Sequence, residues 1–499
     1  MLHILFSSRQ KNSKSTRISS FLNTQRRQRL LLLVAFYALF LFLVYVVLIP
    51  NSFVLATSIE PSSTSCSNNN NISRNPITMS TPATSIETQH CTTKEKVCII
   101  GSGNWASAIS IIIGNNCKRL DFCHSDVYMY VYDEIITLQQ GGGQDKLSNI
   151  MNTQHENIKY LPNIKLPVNI IAIPDLTKAI EGATILIFCL PHQFLTPILK
   201  TIQKNTHLLH PNGCRGVSLI KGMDYDPKDK VPVLISKTIE DTINNNNYHY
   251  HDNNDKNFSC GVLMGANVAN GVAKQQICES TLATNFKSSR LNEQTKQIFH
   301  NEQYFRVQHT TDIYGTEACG ALKNIVALGC GFIDSMYDKD KVDEGSNTKA
   351  ALIRIGLLEM KRFCQLFLDG VKDDTFNESC GIADLITTCY SGRNYKCAKE
   401  FGYRQQQQLH PNTNKWNEKK CRDEWSMIEK SLLNGQKLQG TPTCEEVYMI
   451  LSSRNLLQSF PLFHVIYEIA FQGRPINQIV DGIHVVNIDN DGIDLRSRL

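Results

Sequence analysis

Apolar and polar positions change rhythm along the chain. Residues 30–49 form a run of twenty without a charge and without Asn, Gln, Ser, Thr, Gly or Pro. As a helix this run would be ~30 Å long, enough to cross a hydrocarbon core. From residue 97 onward, short apolar runs of strand type are predicted at 97–100, 127–132, 168–173, 184–190, 216–220 and 261–264. They are separated by helical stretches, the first at 107–114, and such alternation specifies a parallel α/β sheet. After about residue 310 the period becomes helical. Residues 316–336 are apolar and dense in Gly and Ala. Residues 347–367, capped by Ser346 or Asn347, form an amphipathic helix with Ile353, Leu357, Met360 and Phe363 as core. A third apolar stretch, 378–395, carries Asp384.

These changes suggest six segments: a basic N-terminus (1–29), a transmembrane or signal-anchor helix (30–49), a linker or transit-like stretch (50–94), a Rossmann-like dinucleotide-binding domain (95–309), an all-helical substrate domain (310–486) and a tail (487–499). The fold class is therefore α/β followed by all-α. Residues 51–94 are rich in Ser, Thr and Asn and hold only two acids, Glu60 and Glu87. Such a composition buries too little apolar area to order itself. It fits either a tether behind a permanent anchor or a transit sequence behind a signal. Residues 244–257 and 405–420 are polar and read as exposed insertions.

Charge placement sharpens this division. Of the net +5, seven positive charges and no negative one precede Glu60, so the remainder sums to −2. The folded part is thus not a basic nucleic-acid binder. The positive-inside tendency, with Arg26, Arg27 and Arg29 before the apolar run, would keep the N-terminus cytosolic and push the rest across. Seventeen cysteines include no CxxC pair, and several lie in apolar runs. This argues against a disulfide framework or a zinc cluster and for a reducing compartment.

Candidate chemistry begins where the first strand ends. Gly101-Ser102-Gly103-Asn104-Trp105-Ala106 stands between that strand and a helix, the context a GxGxxG/A dinucleotide motif requires. Gly101 permits the tight turn, Gly103 lets a pyrophosphate approach free N–H groups, and Ala106 is small enough for helix–strand packing. Asp133-Glu134, after the second strand, offers carboxylates to an adenosine ribose and favours NAD over NADP. Polar residues follow later strands at Pro191-His192-Gln193-Phe194, Lys221-Gly222 and Gly265-Ala266-Asn267. In the second half, Lys323 and Asn324 sit inside a Gly/Ala-rich apolar helix. A lysine buried there would have a lowered pKa and could exchange protons near neutrality. Arg393, beside Asn394, is suited to a bidentate grip on a phosphate.

In chain order, the motifs GSGNWASAI, NTQHENIKYLP, PHQF, LIKG, LMGANVA, CGALKNIVALG, NTKAALIR, ESCGIADLITTCYSGRN and LLNGQKLQG resemble those of the NAD-dependent glycerol-3-phosphate dehydrogenases of the eukaryotic type. The resemblance spans about residue 96 to 473. It implies NAD contacts from Gly101, Ser102, Gly103, Asn104, Trp105, Ala106, Tyr132, Phe194, Ala269, Arg393, Lys437 and Gln439. It implies substrate contacts from Lys221, Asn267, Arg393, Asn394 and Thr388. Lys323 is implied as proton donor and acceptor, with Lys221 and Asp384 completing the catalytic set; Asp384 and Thr388 would support the lysines. No metal is implied. Ala106 departs from the family's usual third glycine.

The implied reaction is reversible hydride transfer between NADH and dihydroxyacetone phosphate, giving sn-glycerol 3-phosphate. A 2- or 3-hydroxyacid dehydrogenase, or an NAD-sensing protein on an inactive dehydrogenase fold, would share the two-domain plan. The expected partners are the small-molecule substrate, a membrane through the N-terminal segment, and a second copy in a homodimer. The expected location is membrane-inserted or ER-routed, with import into a plastid.

Overall fold

The chain divides into two units, residues 1–88 and 89–499. In the computed structural model, the described residues are 94–137, 143–245, 258–337, 344–407, 416–433 and 437–483, all in the second unit.

Val97–Ile100 (β1) and Ile185–Phe188 are buried at every position. A strand apolar on both faces belongs in the middle of a sheet covered by helices on both sides. Both strands lie there. The main sheet has eight strands: β1, Val127–Tyr130 (β2), Ile170–Ile173 (β3), Ile185–Phe188 (β4), Arg215–Ser218 (β5), Cys260–Met264 (β6), Cys278–Ala283 (β7) and Phe305–Thr310 (β8). Their spatial order is β8-β7-β6-β5-β4-β1-β2-β3. All neighbours are parallel except β6 and β7. The carboxyl ends of β1 to β6 therefore share one edge. Chain order reverses between β1 and β4, and such a switch point opens a ligand crevice. β7 and β8 escape the sequence pattern because their polar residues leave no continuous apolar run.

The first strand leads into helix α1 (Asn104–Arg119) through Gly101. Gly101 has φ +122°, and a Cβ there would lie 2.2 Å from the Cys189 carbonyl oxygen. No other residue fits that turn.

The second half is helical, as expected. Helix α2 (Ile313–Met336) is its buried axis, with Ser346–Phe367 (α3), Asp384–Ser391 (α4), Arg393–Gln407 (α5) and Gly440–Ser453 (α6) packed against it. The Gly/Ala content of α2 lets backbones approach: a Cβ on Gly331 would lie 2.5 Å from the Tyr395 carbonyl oxygen of α5. Phe401 stacks on Trp425 at 4.4 Å in the core beside this contact. The stretch 378–395 is a π-helical turn over Ser379–Ala383, then α4, then a break at Gly392 before α5. One expectation changes here. The N-cap of α3 is Gly345 at φ +83°, not Ser346 or Asn347.

The transmembrane or signal-anchor helix expected at residues 30–49 is not tested by the fold. Among the described residues no helix is long and apolar enough to cross a membrane, and residues 30–49 lie outside them.

Candidate active site

The sheet's carboxyl edge gathers residues from far apart in sequence. Lys221 follows β5, and Gly265 to Asn267 follow β6. The ammonium of Lys221 donates to the Gly265 carbonyl at 3.1 Å and to Asp384 Oδ2 at 2.7 Å. Asp384, at the start of α4, gives its other oxygen, Oδ1, to the ammonium of Lys323 from α2. Lys323 also donates to Thr388 Oγ1 at 2.7 Å, one turn along α4. One carboxylate thus separates two ammonium groups. Lys323 is 4% exposed. Burial, and then the nearby charge of Lys221, lower its pKa to about 7, while Asp384 opposes the drop. β5 and β6 are two and three strands from β1, so this cluster and the glycine turn lie on the same edge of the sheet.

The glycine turn itself suits a dinucleotide. The space a Cβ on Gly103 would occupy is open, with nothing within 4 Å. No side chain caps the N-terminus of α1, which leaves N–H groups for an anion. Ala106 is buried against the sheet and Trp105 packs beside it. The Ser102 carbonyl accepts from Asn157 at 2.8 Å, and the side chain of Asn104 is used by the chain, donating to the Tyr160 carbonyl at 2.6 Å and Asn270 Oδ1 at 3.1 Å. Asn270 follows Ala269, the first residue of a short helix packed on α1. Two aromatic rings stand out along the same edge: Tyr132, 73% exposed, and Phe194, 55% exposed.

Other sequence candidates are held differently than expected. Asp133 accepts from the N–H and hydroxyl of Ser148, capping helix Leu147–Gln154. Glu134 pairs with Lys159 and Tyr160. Both acids offered to a ribose are therefore engaged within the chain. Asn267 turns to β7, donating to the Glu279 carbonyl at 3.0 Å and accepting from Ser280 Oγ at 2.6 Å. Asn394 is buried; its amide donates to Asn324 Oδ1 at 2.9 Å and accepts from the Gly440 N–H at 3.0 Å. Arg393 begins α5 as an exposed residue, yet its guanidinium lies close enough to protein that burial lowers its pKa from the usual value. Exposed Lys437 pairs with Glu429 at 2.6 Å. Gln439 Oε1 lies 3.5 Å from the point where a Cβ on Gly222 would sit, next to Lys221.

Comparison with known proteins shows the family. Residues 96–290 match the family model for the NAD-dependent glycerol-3-phosphate dehydrogenase N-terminus, and 312–481 the one for its C-terminus. The chain belongs to the NAD-dependent glycerol-3-phosphate dehydrogenase family. It is 42% identical over 387 residues to the human protein named glycerol-3-phosphate dehydrogenase [NAD(+)], cytoplasmic, covering 77% of this chain and 96% of that one. It is 41% identical over 392 residues to a zebrafish (Danio rerio) glycerol-3-phosphate dehydrogenase 1-like protein, with the same coverage. Among solved structures, that of glycerol-3-phosphate dehydrogenase from Saccharomyces cerevisiae is 35% identical with a TM-score of 0.64, covering 79% of this chain and 100% of that one. That from Plasmodium falciparum is 33% identical with a TM-score of 0.65, covering 79% and 96%.

The family and the NAD-dependent oxidoreductase class expected from the motifs are thus borne out, as is NAD as cofactor. The expected location is not. Relatives of this dehydrogenase from human, rat and mouse, 42%, 41% and 42% identical, are named cytoplasmic, which overturns the membrane-inserted, ER-routed or plastid-imported expectation.

Two residues that support the site escaped the sequence reading. Asn157, fully buried, donates to the Ser102 carbonyl at 2.8 Å and to Ser107 Oγ at 2.9 Å, pinning the glycine turn. Its motif, NTQHENIKYLP, was visible, but its spacing alone assigns no target. Asn324 was noted beside Lys323 and given no role; its partner lies seventy residues away.

Proposed function

We propose that this dehydrogenase catalyses dihydroxyacetone phosphate + NADH + H⁺ ⇌ sn-glycerol 3-phosphate + NAD⁺, with Lys323 as the group that gives and takes the proton at the substrate's middle oxygen. The observation that carries this reading is the single carboxylate of Asp384 shared by buried Lys323 and by Lys221. Bound NAD supplies hydride chemistry at the carbonyl carbon. As negative charge develops on the oxygen, the Lys323 ammonium stabilises it and then delivers a proton; in reverse the neutral amine removes that proton. A pKa near 7 makes both protonation states accessible at neutral pH. Lys221 adds positive charge on the same side, and Asp384 with Thr388 fixes where both ammonium groups point.

The phosphate would lie at Arg393, at the N-terminus of α5. A helix N-terminus and a guanidinium together favour a dianion. Asn394 contributes its backbone N–H there, because its side chain is spent on Asn324 and Gly440. Gripping the phosphate away from the reacting carbon lets binding energy orient the carbonyl. The cofactor would rest on the turn 101–106 with Tyr132 and Phe194 flanking it, Ala269 beside it and Gln439 approaching from the helical side. Lys437 stands at the rim of that approach. Asn267 shapes the loop after β6. The same reading divides the chain into a nucleotide-binding part, 95–309, and a substrate part, 310–486, and takes a homodimer as the working assembly.

Turnover of dihydroxyacetone phosphate with NADH tests the assignment. Lys323→Ala is expected to lower kcat by about 100-fold or more. Near-normal turnover in that variant would remove Lys323 from the mechanism.

A further inference from the structure

Beside the site lies a group of titratable residues that the chemistry above does not use. His192 begins the short turn His192–Phe194 after β4. Its Nε2 lies 3.2 Å from Asp224 Oδ2, on the first strand of the hairpin Met223–Asp226/Val231–Leu234. Its Nδ1 lies 3.9 Å from the point where a Cβ on Gly222 would sit, on the same spot that Gln439 approaches. Helix α6 packs on both strands of the hairpin and turns Glu446 toward Asp224 and His192. Glu446 Oε2 is buried without a hydrogen-bond partner.

We propose that His192 is a positioning residue for the cofactor: its imidazolium, held by Asp224 and faced by Glu446, fixes the Phe194 turn against the Lys221–Gly222 loop, so its charge state sets how tightly NADH is held. The proposal rests on the dehydrogenase reading for its ligand. Three elements meet here, one from the sheet's carboxyl edge, one from the hairpin and one from the helical half. A single cation between two acids holds them together.

The groups facing the imidazole are all acidic: Asp224 from the hairpin, Glu446 from α6, and buried Glu317 from α2. Glu445 stands beside Glu446. The neighbouring cation, Lys221, is committed to Asp384 and the Gly265 carbonyl. The Asp224 contact raises the pKa of His192 against the opposing effect of burial. Burial, then Asp224, push the Glu446 carboxyl up to about 7, and His192 pulls it down. The sign follows. Below its elevated pKa the charged ring neutralises its acids. As pH rises through the elevated histidine pKa the ring loses its charge, the carboxylates of Asp224 and Glu446 face each other unscreened, and the turn loosens.

Fluorescence titration of NADH onto the full-length protein, from about pH 6 to about pH 9, tests this directly, with kcat followed in parallel. The wild-type Kd for NADH is expected to rise about threefold across an alkaline limb. In His192→Gln the Kd stays at the wild type's high-pH value throughout and the limb is gone. In Glu446→Gln the limb persists but moves to lower pH, because removing an acid lowers the histidine pKa. A purely structural role for either residue would not move that limb. A flat wild-type Kd, or an unmoved limb in either variant, overturns the proposal. A pH-dependent Kd in a protein that fails to reduce dihydroxyacetone phosphate would uphold it and overturn the substrate assignment instead.

Discussion

The side chain of Asn394 donates to Oδ1 of Asn324 at 2.9 Å, with both residues buried. Asn324 follows the lysine proposed to move the proton, and Asn394 follows the arginine proposed to hold the phosphate. This amide pair therefore sets the distance between chemistry and anchor. Asn394→Ala is expected to cost about 1–3 kcal/mol, because the N–H of Gly440 is left buried without an acceptor. It should also lower kcat/KM for dihydroxyacetone phosphate about tenfold or more through loss of registry. Thermal unfolding and steady-state kinetics check the two effects separately.

The pKa of Lys323, lowered to about 7 mainly by burial, gives opposite pH limbs in the two directions. Ketone reduction needs the ammonium, so its kcat falls as pH rises through that region. Alcohol oxidation needs the neutral amine, so its kcat rises through the same region. Measuring both directions on one preparation checks the sign, and parallel limbs would contradict the assignment.

Asp384→Asn leaves two ammonium groups facing each other without their shared counter-charge. Asp384 opposes the fall in the Lys323 pKa, so its removal should move the reduction limb to lower pH. The loss of stability is expected to be about 3 kcal/mol, set by the uncompensated buried lysine. Denaturant unfolding and a pH–rate profile measure these outcomes.

Asn157 holds the glycine turn through the Ser102 carbonyl and Ser107. Asn157→Ala should raise KM for NADH about tenfold, while KM for dihydroxyacetone phosphate changes less. A rise confined to the phosphate substrate would show that the turn is held by other contacts.

The nucleotide half was legible where strands are buried on both faces. Val97–Ile100 and Ile185–Phe188 are continuous apolar runs because helices cover the sheet on each side. β7 and β8 were not legible, since residues such as Glu279, Arg306 and Gln308 interrupt their apolar character. Gly101 was readable because one backbone conformation demands one residue type. Asn157 was not, because an asparagine's target depends on what the fold brings near it.

Local pattern alone determined that a dinucleotide turn follows the first strand and that a lysine is embedded in an apolar helix. Those properties depend on residues close in sequence, where periodicity and backbone geometry act directly. Only the tertiary structure decided that Asp384 stands between Lys323 and Lys221, the latter 163 residues away from it, and that His192, Asp224 and Glu446 converge. Electrostatics acts through space, and distance along the chain carries no record of which charges the packed sheet and helices will bring together.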